Sequence, residues 1–219
     1  MSYKKADVAS RGQFSLSLRA QQKLLEAAQT NQIQSINVHS TCNRTEIYAH
    51  GAETKELVEL LCTFSQGTPN VFSKIGYVLK DEDALSHLFR VGTGLDSQIL
   101  GDFEIIAQLK KSFIRSKKMG LLDSLFERLF NSVILASKRI KNETQISSGT
   151  TSVSYASVRY ILDHIDNPDQ KNILLFGMGK IGRNTCENLV KHTQNDHIVL
   201  INRTRKRAEK MAVKFKLIV

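Results

Sequence analysis

The run Gly177-Met178-Gly179-Lys180-Ile181-Gly182 constrains this chain more than any other feature, because of what flanks it. Ahead of it, Asn172 to Phe176 is a short apolar stretch suited to a buried parallel strand. Behind it, residues through His192 have helical spacing, His197 to Ile201 reads as a second strand and Thr204 to Lys214 as a second helix. In such a strand–turn–helix–strand unit the first glycine permits a tight turn. The second lets a pyrophosphate approach the backbone, and the third lets the helix pack closely on the strand. The helix start adds unpaired N–H groups and partial positive charge. The pattern predicts a Rossmann-type dinucleotide-binding unit with cofactor contacts at Gly177, Met178, Gly179, Lys180, Ile181 and Gly182. The competing reading is a glycine turn beside an empty crevice. Leu217-Ile218-Val219 reads as the start of a third strand. A mononucleotide-binding half uses about three strands with their crossovers, so a partial, truncated unit is expected.

About 20 residues beyond Gly182, an NAD enzyme places a carboxylate for the ribose hydroxyls. Here Asn202-Arg203-Thr204 occupies that place, followed by Arg205. A carboxylate would repel a 2′-phosphate and guanidinium groups would attract one, so NADPH is favoured over NADH. Asn202, Arg203 and Thr204 join the expected cofactor site. A solvated helix start is the plainer account of the same basic run.

Upstream the reading is mixed. Gln21 to Gln29 is expected to be helical, Ile33 to His39 and Thr45 to His50 to be strands, and the four residues between them a turn. Glu53 to Phe64 follows as a helix and Ile75 to Leu79 as a strand; Asp81 caps a helix through Val91. After the bend Gly92-Thr93-Gly94, Asp102 to Met119 resumes helix. In the next helix Leu122, Leu125, Phe126, Leu129, Phe130, Val133, Ile134 and Ile140 share one face, and a further helix covers Ser152 to His164. Of the two prolines, Pro69 and Pro168, the latter falls at the change of rhythm and is read as lying close to a domain boundary.

Hydrophobic residues make up 41% of the 219, enough to build cores. No apolar run approaches the roughly 18 residues of a membrane span, and the polar start lacks a secretory pattern; a cytoplasmic protein without membrane partners is expected. Lys and Arg outnumber Asp and Glu by 31 to 21, for a formal charge of +10. Such an excess suits a polyanionic partner, and equally a solvated surface. It is concentrated in Lys110, Lys111, Arg115, Lys117 and Lys118 and in Arg203, Arg205, Lys206, Arg207 and Lys210.

The three cysteines show neither metal-ligand spacing nor an even count for disulfides. Cys62 lies among Leu60, Leu61 and Phe64, and Cys186 lies within the helix after the glycine turn, both settings for inert packing. Cys42 stands in Ser40-Thr41-Cys42-Asn43-Arg44-Thr45-Glu46, in the company of hydroxyls, an amide and a guanidinium that could favour the thiolate. A thiolate that takes an acyl group forms a thioester, which accepts hydride readily. Thiol and nicotinamide together suggest interconversion of an activated acyl group and an aldehyde; a protease would need no nucleotide.

Three segments resemble the glutamyl-tRNA reductase family: Ser40 through Tyr48, His87 through Gly101, and Ser152-Val153-Ser154-Tyr155-Ala156 followed by the glycine turn. The resemblance runs from near the N-terminus to Val219. It implies an α+β catalytic domain over residues 1–146 and a truncated NADP-binding domain over 147–219. It also implies NADPH-dependent reduction of glutamyl-tRNA to glutamate-1-semialdehyde through a Cys42 thioester, the first committed step of tetrapyrrole (porphyrin and haem) synthesis. Cys42 and His87 match catalytic positions. Thr41, Asn43 and Arg44 match glutamate-holding positions, where a guanidinium can grip a carboxylate in bidentate fashion. Ser97, Asp102, Phe103, Glu104 and Gln108 fall on substrate-contact positions. The family also implies a homodimer formed through a C-terminal domain absent here, and glutamate-1-semialdehyde aminomutase as a partner. Two departures stand out: Gly101-Asp102-Phe103-Glu104 replaces the usual Gly-Glu-Pro-Gln, and the opening strand is shortened. Without hydride delivery the thioester would hydrolyse, leaving an esterase. Two other readings remain from the residues themselves: an NADP-dependent reductase of a small acyl compound, and a non-catalytic nucleic-acid-binding or regulatory module.

Overall fold

The computed structural model describes residues 1–102, 104–144, 146 and 153–219. The chain divides into two compact units, Met1–Ile146 and Ser147–Val219. Pro168, expected near a boundary, instead lies inside the second unit, in a single 3-10 turn spanning Pro168–Gln170. Asn195 anchors that turn by donating from Nδ2 to the carbonyls of Pro168 and Lys171, at 2.6 and 2.7 Å. A proline here shapes a loop within a unit.

The first unit is built on an antiparallel hairpin, β1 (Ser35–Ser40) and β2 (Thr45–His50), with Val38 opposite Ile47 and His39 opposite Glu46. Side chains alternate across a strand, so the two faces differ in chemistry. Ile36 and Val38 join Phe14, Leu24, Leu25, Leu60 and Leu61 in a core with α2 (Leu18–Thr30) and α3 (Thr54–Phe64). Asn37, His39, Glu46 and Tyr48 occupy the opposite face. That side holds a second core of Leu88, Leu109, Phe113, Phe130 and Val133, with Tyr48 packed against it. These residues come from α5 (Asp81–Gly92), α6 (Glu104–Lys118) and α7 (Ser124–Glu143). Five of the six β1 residues are buried, as a strand covered on both faces requires. A short α1 (Val8–Gly12), capped by Asp7, precedes α2.

Three sequence expectations change here. Ile75 to Leu79 is not a strand. Thr68 caps α4 (Pro69–Ile75) by accepting the N–H of Val71, and Pro69 sits in its first turn, where its missing N–H costs nothing. Residues 76–80 then run without secondary structure. Asp81 does not cap α5; Lys80 holds that place, and Asp81 is the first helical residue, with φ of 48°. In α7 the buried stripe is Phe126, Phe130, Val133 and Ser137, while Leu122 precedes the helix and Leu125 is 50% exposed. Asp123 sets the start of α7 by accepting the N–H of Phe126 at 2.8 Å.

The second unit pairs β3 (Ile173–Phe176) and β4 (Ile198–Ile201) in parallel, with α8 (Val153–His164), α9 (Lys180–Thr193) and α10 (Arg205–Phe215). Ser152, the expected first residue of α8, lies outside the described residues. Val199 and Ile218 form a parallel bridge beside β4, where a third strand was expected to begin. Val158, Cys186, Leu189, Ile198, Leu200, Ala208 and Met211 form the core. The other sheet face is more open: Leu174 is 62% and Phe176 78% exposed, with Val199 half-buried beside them. Among the described residues no helix is long and apolar enough to cross a membrane.

Candidate active site

The β1–β2 turn presents Cys42 at its tip. The Thr41 N–H donates to the Arg44 carbonyl at 2.8 Å, closing the turn. Thr41 Oγ1 then accepts the N–H groups of Asn43 and Arg44, both at 3.3 Å. A hydroxyl that gathers the following N–H groups fixes such a loop without secondary structure. Beneath it, the Ser40 and Thr45 hydroxyls meet at 2.8 Å and tie the strand ends together. From outside, Arg11 Nε donates to the Cys42 carbonyl at 3.1 Å, and the Tyr3 N–H donates to the Asn43 carbonyl at 2.9 Å. The Cys42 thiol is exposed and, among the described residues, its sulfur has no hydrogen-bond partner. Thr41 and Asn43 are half-buried beside it. The other two thiols differ: burial pushes Cys186 up to about 11 and raises Cys62.

Arg44 departs from expectation. Its side chain is 2% exposed and turned inward, away from a role at the thiol. Nη1 donates to Glu46 Oε1 at 2.9 Å, and Nη2 donates to Asp96 Oδ2 at 3.1 Å and to the Asp96 carbonyl. Burial opposes its charge, but the carboxylates of Glu46 and Asp96 more than compensate, so its pKa rises above the ordinary arginine value. Two protein carboxylates already hold the fork that was expected to grip a substrate's.

Glu46 is the hub. Besides Arg44 it accepts from His87 Nε2 at 2.8 Å and from the hydroxyls of Tyr48 and Tyr77. Burial favours its neutral form, yet the His87 hydrogen bond, the Arg44 charge and the Tyr48 hydroxyl together hold the carboxyl far below its usual range. An ionised carboxylate only accepts, so His87 Nε2 carries a proton, and Nδ1 is the basic nitrogen of the neutral ring. The Tyr77 ring lies edge-on to His87, with centroids 5.5 Å apart. Burial and the Glu46 charge drive both tyrosines above their usual values and keep the hydroxyls protonated as donors.

Asp96 links this hub to the loop following α5. Lys4 also pairs with it, and these two cations hold its carboxyl low against the opposing effect of burial. Gly94, at φ of 76°, accepts from the N–H groups of Ser97 and Gly101. A Cβ on Gly94 would meet the Asp102 carbonyl at 3.0 Å, so only glycine suits that fold of the loop. Ser97 is half-buried on it, and Asp102 Oδ1 accepts the N–H of Glu104 at 2.9 Å where α6 begins. Glu104 therefore stands in a first helical turn, which favours an acid. Gln108 is exposed one turn further along α6. Phe103 lies outside the described residues.

The structure thus joins Arg44, His87 and the Ser97 loop through Glu46 and Asp96, with Cys42, Thr41 and Asn43 on the turn that opens β2. Sequence reasoning missed the roles of Glu46, Tyr48, Tyr77 and Asp96. The alternation Arg44, Glu46, Tyr48 along one strand face was the available signal for the first two; nothing local pointed to Tyr77 or Asp96.

In the second unit Gly177 has φ of 99°, and its N–H donates to the Ile201 carbonyl at 2.7 Å, turning the chain off β3. Nothing lies within 4 Å of where a Cβ would stand on Gly177 or Gly179. Gly179 caps α9 with no side-chain hydrogen bond, which leaves the helix start for an anion. Asn202 Oδ1 accepts the Met178 N–H at 3.0 Å and its Nδ2 donates to the Thr204 carbonyl at 2.8 Å, so the end of β4 braces the glycine turn. Met178 is buried, while Ile181, Arg203 and Thr204 are exposed. Open space over Gly177 and Gly179 at the start of α9 fits a dinucleotide pyrophosphate.

Residues 1–144 match the family model described as glutamyl-tRNAGlu reductase, N-terminal domain, and residues 159–218 match shikimate/quinate 5-dehydrogenase. The glutamyl-tRNA reductase of Christiangramia forsetii is 63% identical over all of this chain and 52% of its own length. That of Flavobacterium psychrophilum is 59% identical over all of this chain and 53% of its own. The solved glutamyl-tRNA reductase from Methanopyrus kandleri superposes with a TM-score of 0.64 at 27% identity, covering 99% of this chain and 51% of that one. The chain spans about half the length of the curated relatives it matches, and it belongs to the glutamyl-tRNA reductase family.

Proposed function

We propose that this chain supplies the acyl-transfer site and part of the nucleotide site of an NADPH-dependent reduction of glutamyl-tRNA to glutamate-1-semialdehyde. One observation carries this reading: an exposed cysteine on a pinned turn, backed by a buried ionised network that ends at a histidine. Cys42 Sγ, as thiolate, adds to the glutamyl carbonyl carbon. As the ester C–O bond breaks, the RNA hydroxyl leaves with a proton and a thioester remains on Cys42. Thr41 and Asn43, fixed beside the thiol, orient the glutamyl group together with Ser97 and Gln108. Arg44 acts differently from the family expectation, as a clamp holding the Asp96 loop to the turn. His87, its Nε2 committed to Glu46, offers Nδ1 for proton transfer. Gly177–Gly182 would hold NADPH, which would supply the hydride needed to take the acyl group to the aldehyde level. Arg203 at the end of β4, with no carboxylate there, suits the 2′-phosphate.

The test uses the full-length protein with charged glutamyl-tRNA, quenched in acid and weighed intact. The expected result is a glutamyl adduct on Cys42 without NADPH and semialdehyde with it. Cys42→Ser is expected to abolish both. Semialdehyde formation that survives Cys42→Ser overturns the assignment.

A further inference from the structure

α6 has two opposed faces. Ile105, Leu109, Ser112, Phe113 and Ser116 are buried, while Lys110, Lys111, Ile114, Lys117 and Lys118 are exposed. At 3.6 residues per turn the four lysines occupy about a third of the circumference. The helix's one acid, Glu104, stands at its first residue. Among the described residues Lys110, Lys111 and Lys118 have no ionic partner, while Lys117 meets Glu127 at 2.7 Å. Arg115, their neighbour in sequence, is half-buried and donates to Gln21. Four other helices carry a counter-charge one turn away, in Lys55–Glu59, Arg139–Glu143, Arg159–Asp163 and Arg205–Glu209. The α6 stripe lacks it.

The stripe also has a direction. The Ile36 N–H donates to the Leu121 carbonyl at 2.9 Å, and Ser116 Oγ meets Asn37 Oδ1 at 3.4 Å. The far end of α6 therefore lies against the start of β1, and β1 runs toward Cys42. The near end begins at Glu104, just after the loop that Asp96 holds to Arg44. From Lys118 to Lys110 is about 12 Å of helix axis. A nucleic-acid strand presents a phosphate about every 3.4 Å, so that length meets several.

We propose that this face of α6 is the track along which the RNA carrier lies, its acylated end delivered to the Cys42 turn. The assignment rests on the reading that an aminoacyl-RNA is the substrate. In the full-length protein, Lys110→Glu/Lys111→Glu/Lys118→Glu raises KM for glutamyl-tRNA roughly tenfold with kcat within about twofold. It also flattens the slope of log kcat/KM against log salt by about three, near one per lost phosphate contact. A small glutamyl thioester, which carries no RNA, is turned over as by the unsubstituted protein, and the melting temperature is unchanged. The same reversal at Lys23, Lys55 and Lys74, exposed elsewhere, leaves KM and slope nearly as they were and so separates place from net charge. An unchanged KM and slope in the α6 variant, an equal loss in the control, or an equal loss on the small thioester each overturns the track. Unsubstituted protein that acts on the thioester but not on glutamyl-tRNA overturns the proposed function, and the track with it. Normal action on glutamyl-tRNA with an insensitive α6 variant overturns the track alone.

Discussion

His39 sits directly across the hairpin from Glu46, 1% exposed, and among the described residues its Nε2 has no hydrogen-bond partner. Burial, opposed by Glu46 and reinforced by Arg44, lowers its pKa from 6.5 to about 4, so the folded ring is neutral at pH 7. Below about 6.5 the unfolded chain takes up a proton that the folded chain refuses until about 4. Stability is therefore expected to fall across that window, by about 3 kcal/mol, and to gain no further loss from this residue beneath it. Glu46 acts lower down: its folded pKa is depressed, so its contribution is complete above about 4.5 and is lost as pH falls further. His39→Leu should flatten urea-unfolding stability between pH 6.5 and 4 while keeping the steeper loss below; a slope that persists between 6.5 and 4 contradicts a buried neutral ring. The exposure of Cys42 was legible from its polar neighbours alone. The inward partners of Arg44 were not legible, because nearness in sequence says nothing of direction. It shares a strand face with Glu46 and Tyr48, and its second partner, Asp96, comes from a loop 52 residues away.

Among elements, the glycine turn was the most legible, because each glycine's task is local and depends on nothing distant. The structure separates those tasks. A Cβ on Gly182 would stand 1.8 Å from the Gly177 carbonyl oxygen, a backbone atom that cannot move aside cheaply. A Cβ on Gly179, where φ is −70°, meets nothing within 4 Å. Gly182→Ala should therefore lower the stability of the second unit by about 1–3 kcal/mol, the usual cost of overpacking. Gly179→Ala should leave its melting temperature nearly unchanged and weaken NADPH roughly tenfold or more, since the methyl fills the space a pyrophosphate needs. Fluorescence titration together with thermal melts of both variants checks this, and equal behaviour of the two would remove the distinction. The expected Ile75–Leu79 strand failed for the opposite reason. Apolar residues in a row satisfy half of what a strand needs, and among the described residues 76–80 pair with no strand. Thr68 and Pro69, a cap followed by a helix-starting residue, were the better guide.

At the scale of the whole chain, each unit closes its own hydrophobic core, and the two differ in how completely. In Met1–Ile146, β1 is covered on both faces by separate clusters, one around Phe14, Leu24 and Ile36, the other around Leu109, Phe113 and Val133. In Ser147–Val219, one cluster covers one face of a two-stranded sheet and leaves Leu174 and Phe176 in solvent. A short unit with a half-covered sheet has little apolar burial to set against chain entropy. The alternation of strand and helix in the sequence announced this unit's architecture but not the exposure of Leu174 and Phe176, which depends on what lies over the outer sheet face. For the 219-residue chain, hydrogen exchange should open β3 and β4 at a lower free energy than β1 and β2, giving two classes of core amide separated by more than about 2 kcal/mol. Adding NADPH should narrow the gap by slowing exchange in β3 and β4 alone, because a ligand stabilises the unit that binds it. Uniform protection across all four strands would mean that the units unfold as one, and that the more open sheet face costs the second unit nothing.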